Sequence, residues 1–472
     1  MQAAQAHAMS ESHRLAAVVE RLRGMLAAND ILAGEDMPLR HFSDRAISAP
    51  ENAAGCCIVY PRSTEQVSAV LRECHREGIA VVPQGGMTGM SGGAVPLQAC
   101  IVLATERMAL IETVDSRQGQ IRLQAGVPLQ VAQEAAAQHG FLLPMDIGSR
   151  GSCLIGGTAA TNAGGMRVIR YGMMRNLVLG IEVVLADGTV LSDMSGLLKN
   201  NAGFDLKQLF VGSEGTLGVI TRLVVRLFPL PLATATACCA LADFDAGVVF
   251  LDRARRRLGE SLAAFEAMWP DFFALGCTPL GRSPFSSPAG LYILLEAEGA
   301  DDGIEGRMEE LLAEAIADGL VADAVIPQSE AIRRELWSIR EPTQAYANHF
   351  RPSVGFDVGI QVDRMARFVA ECRQDILRLD ERLASIFYGH IADNNLHIGV
   401  KLQPDGPSKM DVQDVVYNCV RRQGGTISAE HGIGATKRGY LGFTRSPQEI
   451  AVMRAIKHML DPSNIMNPGK VL

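Results

Sequence analysis

Two short runs near the C-terminal end hold the side chains best suited to chemistry. The run YGHIADNNLHIGV places His390 and His397 seven residues apart, and SAEHGIG supplies Glu430 and His431 further on. On a strand, an odd separation sends two side chains to opposite faces. The imidazoles therefore converge only if the intervening ADNN bends, and Asp393, Asn394 and Asn395 are turn-forming residues. Two imidazoles and one carboxylate with open positions form the donor set of a catalytic zinc site or of a related divalent metal. From spacing alone, ordinary core histidines explain the pattern equally well.

A second chemistry rests on residues that lack side chains. PQGGMTGMSGG sets Gly85, Gly86, Gly89, Gly92 and Gly93 within nine residues. Glycine accepts positive φ and has no Cβ, so successive backbone N–H groups can turn into one concavity around an anion such as a diphosphate. One such loop is more often a hairpin with no ligand. Two more, IGGTAATNAGG and GSEGTLG, also stand at strand edges and shift that balance. No complete GxGxxG and no GxxxxGK[ST] occurs; the nearest, Gly432-Ile433-Gly434-Ala435-Thr436-Lys437, lacks its last glycine. A Rossmann dehydrogenase and a P-loop NTPase are both disfavoured.

Hydrophobic periodicity marks the elements that must hold these groups. Residues 10–55 read as a helical lead-in and a polar loop. Ile58-Val59-Tyr60 is a short strand, and Ser63 to Gln66 is a capping box opening a helix with Val67, Val70, Leu71 and Cys74 on one face. Gly78 stops that helix, and Ile79 to Val82 is a buried strand that empties into the first glycine loop. Strand patterns (IVLATERM, IRLQAGV), a helix (VAQEAAAQHG) and a hairpin turning at Asp187-Gly188 follow. Beyond Pro229-Pro231 the glycine loops cease. Helices there alternate with strands such as GLYILLEA, GFDVGIQV and LHIGV, which reads as a second, α+β domain. GGTISAE reads as a last strand, and Ser446-Pro447-Gln448-Glu449 as a helix N-terminus.

Composition sets the outer bounds. The 472 residues allow about three compact units at ~150 residues each. Acids outnumber bases by 52 to 44, for a net charge of −8, so nucleic acid and anionic lipid surfaces are poor partners. The most apolar stretch, Leu232 to Leu251, is broken by Asp243 and Asp245, and no transmembrane segment is expected. The opening residues carry no basic-then-apolar signal pattern. Ten cysteines lie in apolar runs without a CxxC, as expected of buried free thiols in a reducing, cytoplasmic setting.

Taken together, PQGGMTGMSGGAVP, DIGSRGSCLIGGTAATNAGGMRVIRYGMMRNLVLGIEVVLADG and FDLKQLFVGSEGTLGVITR resemble the FAD-binding half of the vanillyl-alcohol-oxidase superfamily. The C-terminal motifs narrow the resemblance to the FAD-linked D-2-hydroxy-acid dehydrogenases, the group of D-2-hydroxyglutarate and D-lactate dehydrogenases and the glycolate oxidase large subunit. The match runs over residues 55–472, nearly the whole chain. It implies an α+β fold: a two-subdomain FAD-binding domain over residues 1–230, an α+β substrate (cap) domain with an antiparallel sheet over 231–425, and a segment 426–472 returning to the flavin.

The same resemblance assigns roles. Pro83, Gly85, Gly86, Thr88, Gly89, Gly92 and Gly93 would wrap the FAD pyrophosphate. Pro144, Asp146, Gly148, Ile155, Gly156, Gly157, Thr158, Thr161, Asn162, Gly165 and Tyr171 would line the cofactor. Glu214, Gly215, Gly218 and Ile220 would bracket its adenosine end, and Asn467 would close on it. The flavin would be non-covalent, because the first loop offers no His or Cys. His390, His397 and Glu430 match metal ligands, with zinc the expected ion; His431 matches the base and Arg340 the holder of the substrate carboxylate. The implied reaction oxidises a D-2-hydroxy acid to the 2-keto acid. His431 takes the hydroxyl proton, flavin N5 the hydride, and an electron-transfer flavoprotein, quinone or cytochrome the electrons. A homodimer is compatible with this reading.

The chain also departs from the family pattern. Met87 stands for an asparagine, Gly355 for a lysine that follows the arginine in the D-2-hydroxyglutarate enzymes, Gly399 for their asparagine, and ADNN for GDGN. A cation and an amide that would read a second carboxylate are missing. Two other classes compete. One is a non-redox flavoprotein transferase resembling alkylglycerone-phosphate synthase, whose histidine cluster differs; the other is a zinc hydrolase with structural glycine loops.

Overall fold

The structure, a computed structural model, describes residues 2–53 and 55–472. The chain forms two compact units. The first takes residues 1–165, 173–230 and 430–472, and the second takes 166–172 and 231–429. The short excursion 166–172, placed by sequence in the first domain, clusters with the second unit.

In the first unit, β1 (Ile31–Ala33), β2 (Cys57–Val59), β3 (Val81–Gln84) and β4 (Ile101–Ala104) form a sheet in the order β1-β2-β4-β3. β4 runs parallel to both β2 and β3. The helix Thr64–Glu77 makes the crossover, with Val67, Val70, Leu71 and Cys74 all buried. Its Ser63 cap accepts from the Gln66 N–H, but Gln66 Oε1 accepts from the Arg62 N–H at 2.7 Å. The reciprocal half of the expected capping box is thus displaced by one residue. A second sheet uses β5 (Ile111–Asp115), β6 (Gln120–Gln124), β8 (Val178–Val184), β9 (Val190–Asp193) and β10 (Val219–Arg226), antiparallel in the order β5-β6-β10-β8-β9. The short strands β7 (Phe141–Leu142) and β11 (Phe228–Pro229) pair with each other.

The second unit is built on one seven-stranded sheet. Its strands are β12 (Ala233–Leu241), β13 (Leu262–Met268), β14 (Leu291–Gly299), β15 (Asp323–Val325), β16 (Ser353–Gly359), β17 (Ala384–His390) and β18 (Asn395–Lys401). The order is β15-β12-β14-β13-β17-β18-β16, antiparallel throughout. Cross-strand pairs share a face. On one face Tyr292, Leu294, Met268 and Ile386 pack against Phe272, Phe273, Leu336 and Ile339 from the helices Pro270–Cys277 and Glu330–Arg340. On the other, Phe265 meets Phe250 and Phe356 meets Tyr417.

GGTISAE is not a strand. Gly424 takes φ +65, and Thr426 makes only an isolated bridge to Gly359 before its hydroxyl turns back to the Ser428 carbonyl. All ten cysteines are free and buried. No described helix is long and apolar enough to cross a membrane.

Candidate active site

The first glycine loop leaves β3 at Pro83 and Gln84, and its position is set by backbone contacts that exclude a Cβ. One built on Gly86 would lie 1.9 Å from the Ser152 carbonyl oxygen. Gly85 faces Gly157 of the second loop, where a Cβ at 85 would lie 3.6 Å from the Gly157 Cα. The two loops therefore lie backbone to backbone. Among the described residues the N–H groups of Gly86, Met87, Thr88 and Gly89 have no acceptor. Further along, Gly92 N–H donates to Asp44 Oδ2 at 2.8 Å.

Other motifs of the first unit meet at Glu214. Its buried carboxylate accepts from the N–H groups of Ile433 (2.7 Å) and Gly434 (2.8 Å). Burial pushes its pKa up against the pull of those two donors. Asn467 Nδ2 donates to the carbonyls of Gly93 (2.8 Å) and Glu214 (2.7 Å), and Ser91 Oγ donates to the His431 carbonyl (2.8 Å). The first loop, GSEG, HGIG and NPG are thus tied into one knot that fixes the backbone of His431. The Glu214 side chain, expected at the adenosine end, is the acceptor of that knot. Ile155 to Thr158 lie in a short helix, Thr161, Asn162 and Gly165 follow it, and Gly215 to Ile220 lead into β10. Pro144, Asp146 and Gly148 lie in the loop after β7, where Asp146 pairs with Arg150 at 2.7 Å. Tyr171 sits in the excursion, and its hydroxyl donates to Glu298 Oε2 at 2.7 Å.

In the second unit, β17 and β18 form a hairpin through a 3-10 turn and Asn394 at φ +68. This is the bend that the histidine spacing requires. His397 sits across from Tyr388, and the rings of His390 and His397 stand 5.3 Å apart. Glu430, peptide-bonded to Ala429 at the boundary between units, completes the group. One atom from each of the three side chains lies within 4.8 Å of the others.

One residue that sequence reasoning missed organises this group. Glu266, wholly buried on β13 and opposite His390, accepts from His390 Nδ1 at 2.6 Å and from Arg340 Nε at 2.7 Å. Burial pushes its carboxyl up, but His390 and Arg340 outweigh that and hold it below the usual carboxylate range. With Nδ1–H donating to a carboxylate, His390 presents the lone pair of Nε2, the arrangement of carboxylate-supported metal ligands. Arg340 Nη2 also lies 2.7 Å from Glu266 Oε2, yet it is off-axis and makes no directed hydrogen bond although buried. Arg340 pairs with neither Glu341 nor Glu335, its neighbours in sequence; it stacks over Tyr388 with that buried nitrogen still to be satisfied. Asp393, in the turn, is pushed up to about 6 by burial, with His390 opposing.

The model of the FAD binding domain matches residues 56–193, and that of the C-terminal domain of FAD linked oxidases matches residues 230–471. The mitochondrial D-2-hydroxyglutarate dehydrogenase of Bos taurus is 36% identical over 466 residues, covering 96% of this chain and 85% of that protein. The D-2-hydroxyglutarate dehydrogenase of Xanthomonas citri pv. viticola is 38% identical over 421 residues, 88% of each. The chain belongs to the FAD-linked oxidases, in the D-2-hydroxy-acid dehydrogenase group. Among solved structures, p-cresol methylhydroxylase superposes with a TM-score of 0.78 over 97% of both chains at 15% identity. That likeness shows the vanillyl-alcohol-oxidase-type fold alone. The family's FAD fits what the first unit offers: two glycine loops packed backbone to backbone, with the N–H groups of Gly86 to Gly89 left as donors suited to a pyrophosphate.

Proposed function

We propose that this enzyme oxidises D-2-hydroxy acids to 2-keto acids with non-covalent FAD and a divalent metal, zinc being the best match to two imidazoles and a carboxylate. The observation that carries the metal is the convergence of His390, His397 and Glu430, with Glu266 already aligning His390. FAD supplies the hydride acceptor, and a cation in that group supplies Lewis-acid polarisation of the substrate hydroxyl.

The rest falls to side chains of this protein. Arg340 receives the substrate carboxylate on its guanidinium, which Glu266 keeps in place. His431, its backbone fixed by the Glu214 knot, takes the hydroxyl proton. The glycine loops hold the cofactor through N–H groups. Electrons leave to a non-oxygen acceptor such as an electron-transfer flavoprotein. The transferase alternative loses ground because relatives that align over most of the chain are named as dehydrogenases.

Anaerobic mixing with paired D- and L-2-hydroxy acids, with and without a chelator, tests this reading. The D isomers are expected to bleach the flavin, and chelation to slow bleaching by at least ~10²-fold. Bleaching that ignores the chelator removes the metal from the reaction. A flavin that no D-2-hydroxy acid reduces removes the function.

A further inference from the structure

Residues 41–45, to which the reaction above gives no part, lie along the outside of the first glycine loop. The Arg45 N–H donates to the Gly89 carbonyl at 3.3 Å, and Asp44 accepts from the Gly92 N–H. His41 reaches the loop through Gln84, the last residue of β3. Gln84 Nε2 spans the base of the loop, donating to the Ala94 carbonyl at 2.8 Å and to the His41 carbonyl at 2.9 Å. His41, Gln84 and the Tyr60 behind them are each at most 2% exposed.

Each proton in this group has one place. The two carbonyls can only accept, so they hold the NH2 side of the amide and turn Oε1 toward His41. The imidazole therefore carries a proton on Nδ1, which donates to Gln84 Oε1 at 2.6 Å. Burial lowers the His41 pKa, so Nε2 keeps its lone pair and accepts from the Tyr60 hydroxyl at 3.0 Å. Turning the amide over would leave buried donors and acceptors unpaired. The brace thus has a single setting, and the loop it closes has two unlike edges. The carbonyls of Gly89 and of Ser91 to Val95 all accept from protein donors. Among the described residues the N–H groups of Gly86 to Gly89 have no acceptor. An inward carbonyl would set the negative end of its dipole against a phosphate, and unbraced glycines are costly to order on binding.

We propose that Gln84, locked by His41, is a positioning residue for the cofactor pyrophosphate: it keeps the Ala94 carbonyl turned out of the loop and holds the loop in its binding shape before the cofactor arrives. This rests on FAD occupying the first loop.

The test measures FAD binding to the full, deflavinated chain by quenching of FAD fluorescence. ADP and riboflavin serve as competitors that report the two halves of the cofactor separately. Gln84→Met keeps the length and removes both donations; FAD and ADP are each expected to bind at least ~10-fold more weakly, with riboflavin unchanged. The release of FAD from the diluted holoenzyme, which needs no apoprotein, is expected to quicken by the same factor. His41→Leu unlocks Gln84 without replacing it, is expected to weaken FAD and ADP in the same sense, and keeps the test standing should Gln84→Met fail to fold. His41→Asn, whose Nδ2–H takes the place of the imidazole Nδ1–H, is expected to recover most of the affinity that His41→Leu loses. Wild-type affinity for FAD and ADP in folded Gln84→Met and His41→Leu overturns the brace. Equal losses of ADP and riboflavin, or His41→Asn as weak as His41→Leu, also overturn it, because packing alone would explain them. A wild type that binds neither FAD nor ADP removes the cofactor from this loop, and the proposal with it; a wild type that binds both, with unchanged variants, removes the brace alone.

Discussion

The two units solve the problem of holding a ligand in opposite ways. In the first, the site is made by removing side chains: Gly85 and Gly157 bring two backbones together, and N–H groups from Gly86 to Gly89 are left for an anion. In the second, the site is made by burying charges and pairing them with one another. Glu266 bridges His390 and Arg340, and on the same face Glu296 and Glu298 are held by Arg167, Arg170, Tyr171, Thr236 and Trp337. A backbone site is intolerant of added volume, because a carbonyl cannot step aside as a side chain can. A charge network is intolerant of lost partners, because the remaining ion stays buried and unpaired.

The largest effect is expected from adding volume to the backbone site. Gly86→Val places a Cβ against the Ser152 carbonyl, and relief requires shifting one of two loops. Overpacking against backbone costs about 3 kcal/mol or more. The purified variant should lack its 450 nm flavin absorbance and melt earlier, while its metal content survives. Stoichiometric FAD in Gly86→Val would show that the loop is not shaped by the missing Cβ.

The converse change is Glu266→Gln, which keeps the shape and removes the charge. The amide cannot serve both His390 Nδ1–H and Arg340 as a full acceptor. Metal affinity is expected to fall 10- to 100-fold, the usual consequence of losing the carboxylate behind a ligating histidine, with FAD content unchanged. Metal analysis and flavin absorbance on one sample decide it, and equal metal retention would reduce Glu266 to a packing role.

The same contrast explains what could be read from sequence. Glycine loops announce themselves because a positive φ or a missing Cβ has almost no other residue to satisfy it. The histidine pair was legible because seven residues and a turn-forming tetrad define a hairpin. Glu266 was not, since it reaches His390 across 124 positions and no local pattern separates it from other acids. The strand expected at GGTISAE failed where local apolar content met two glycines, and one bridge at Thr426 is all that survives. The pairing of Arg167, Arg170 and Tyr171 with the buried glutamates of β14 was equally invisible, since it joins positions more than 120 apart.

The smallest effect probes a buried charge in the first unit, a lysine among its glycine loops. Lys470 Nζ donates to the Val95 carbonyl, and burial lowers its pKa to about 8, with Cys100, Asp44 and Glu214 opposing. An unfolded lysine titrates near ~10.4. Below pH ~8 both states carry the proton and the folded state bears the full desolvation penalty. Between about 8 and 10.4 the unfolded chain holds more protons, so stability rises with pH, by at most ~1.4 kcal/mol per unit. Lys470→Met removes this group from both states while leaving other titrations common to the two proteins. The stability of the wild type relative to the variant should therefore grow by about 1.5 kcal/mol from pH 8 to 9.5 in denaturant unfolding. A difference that stays flat over that window would mean that water reaches the ammonium.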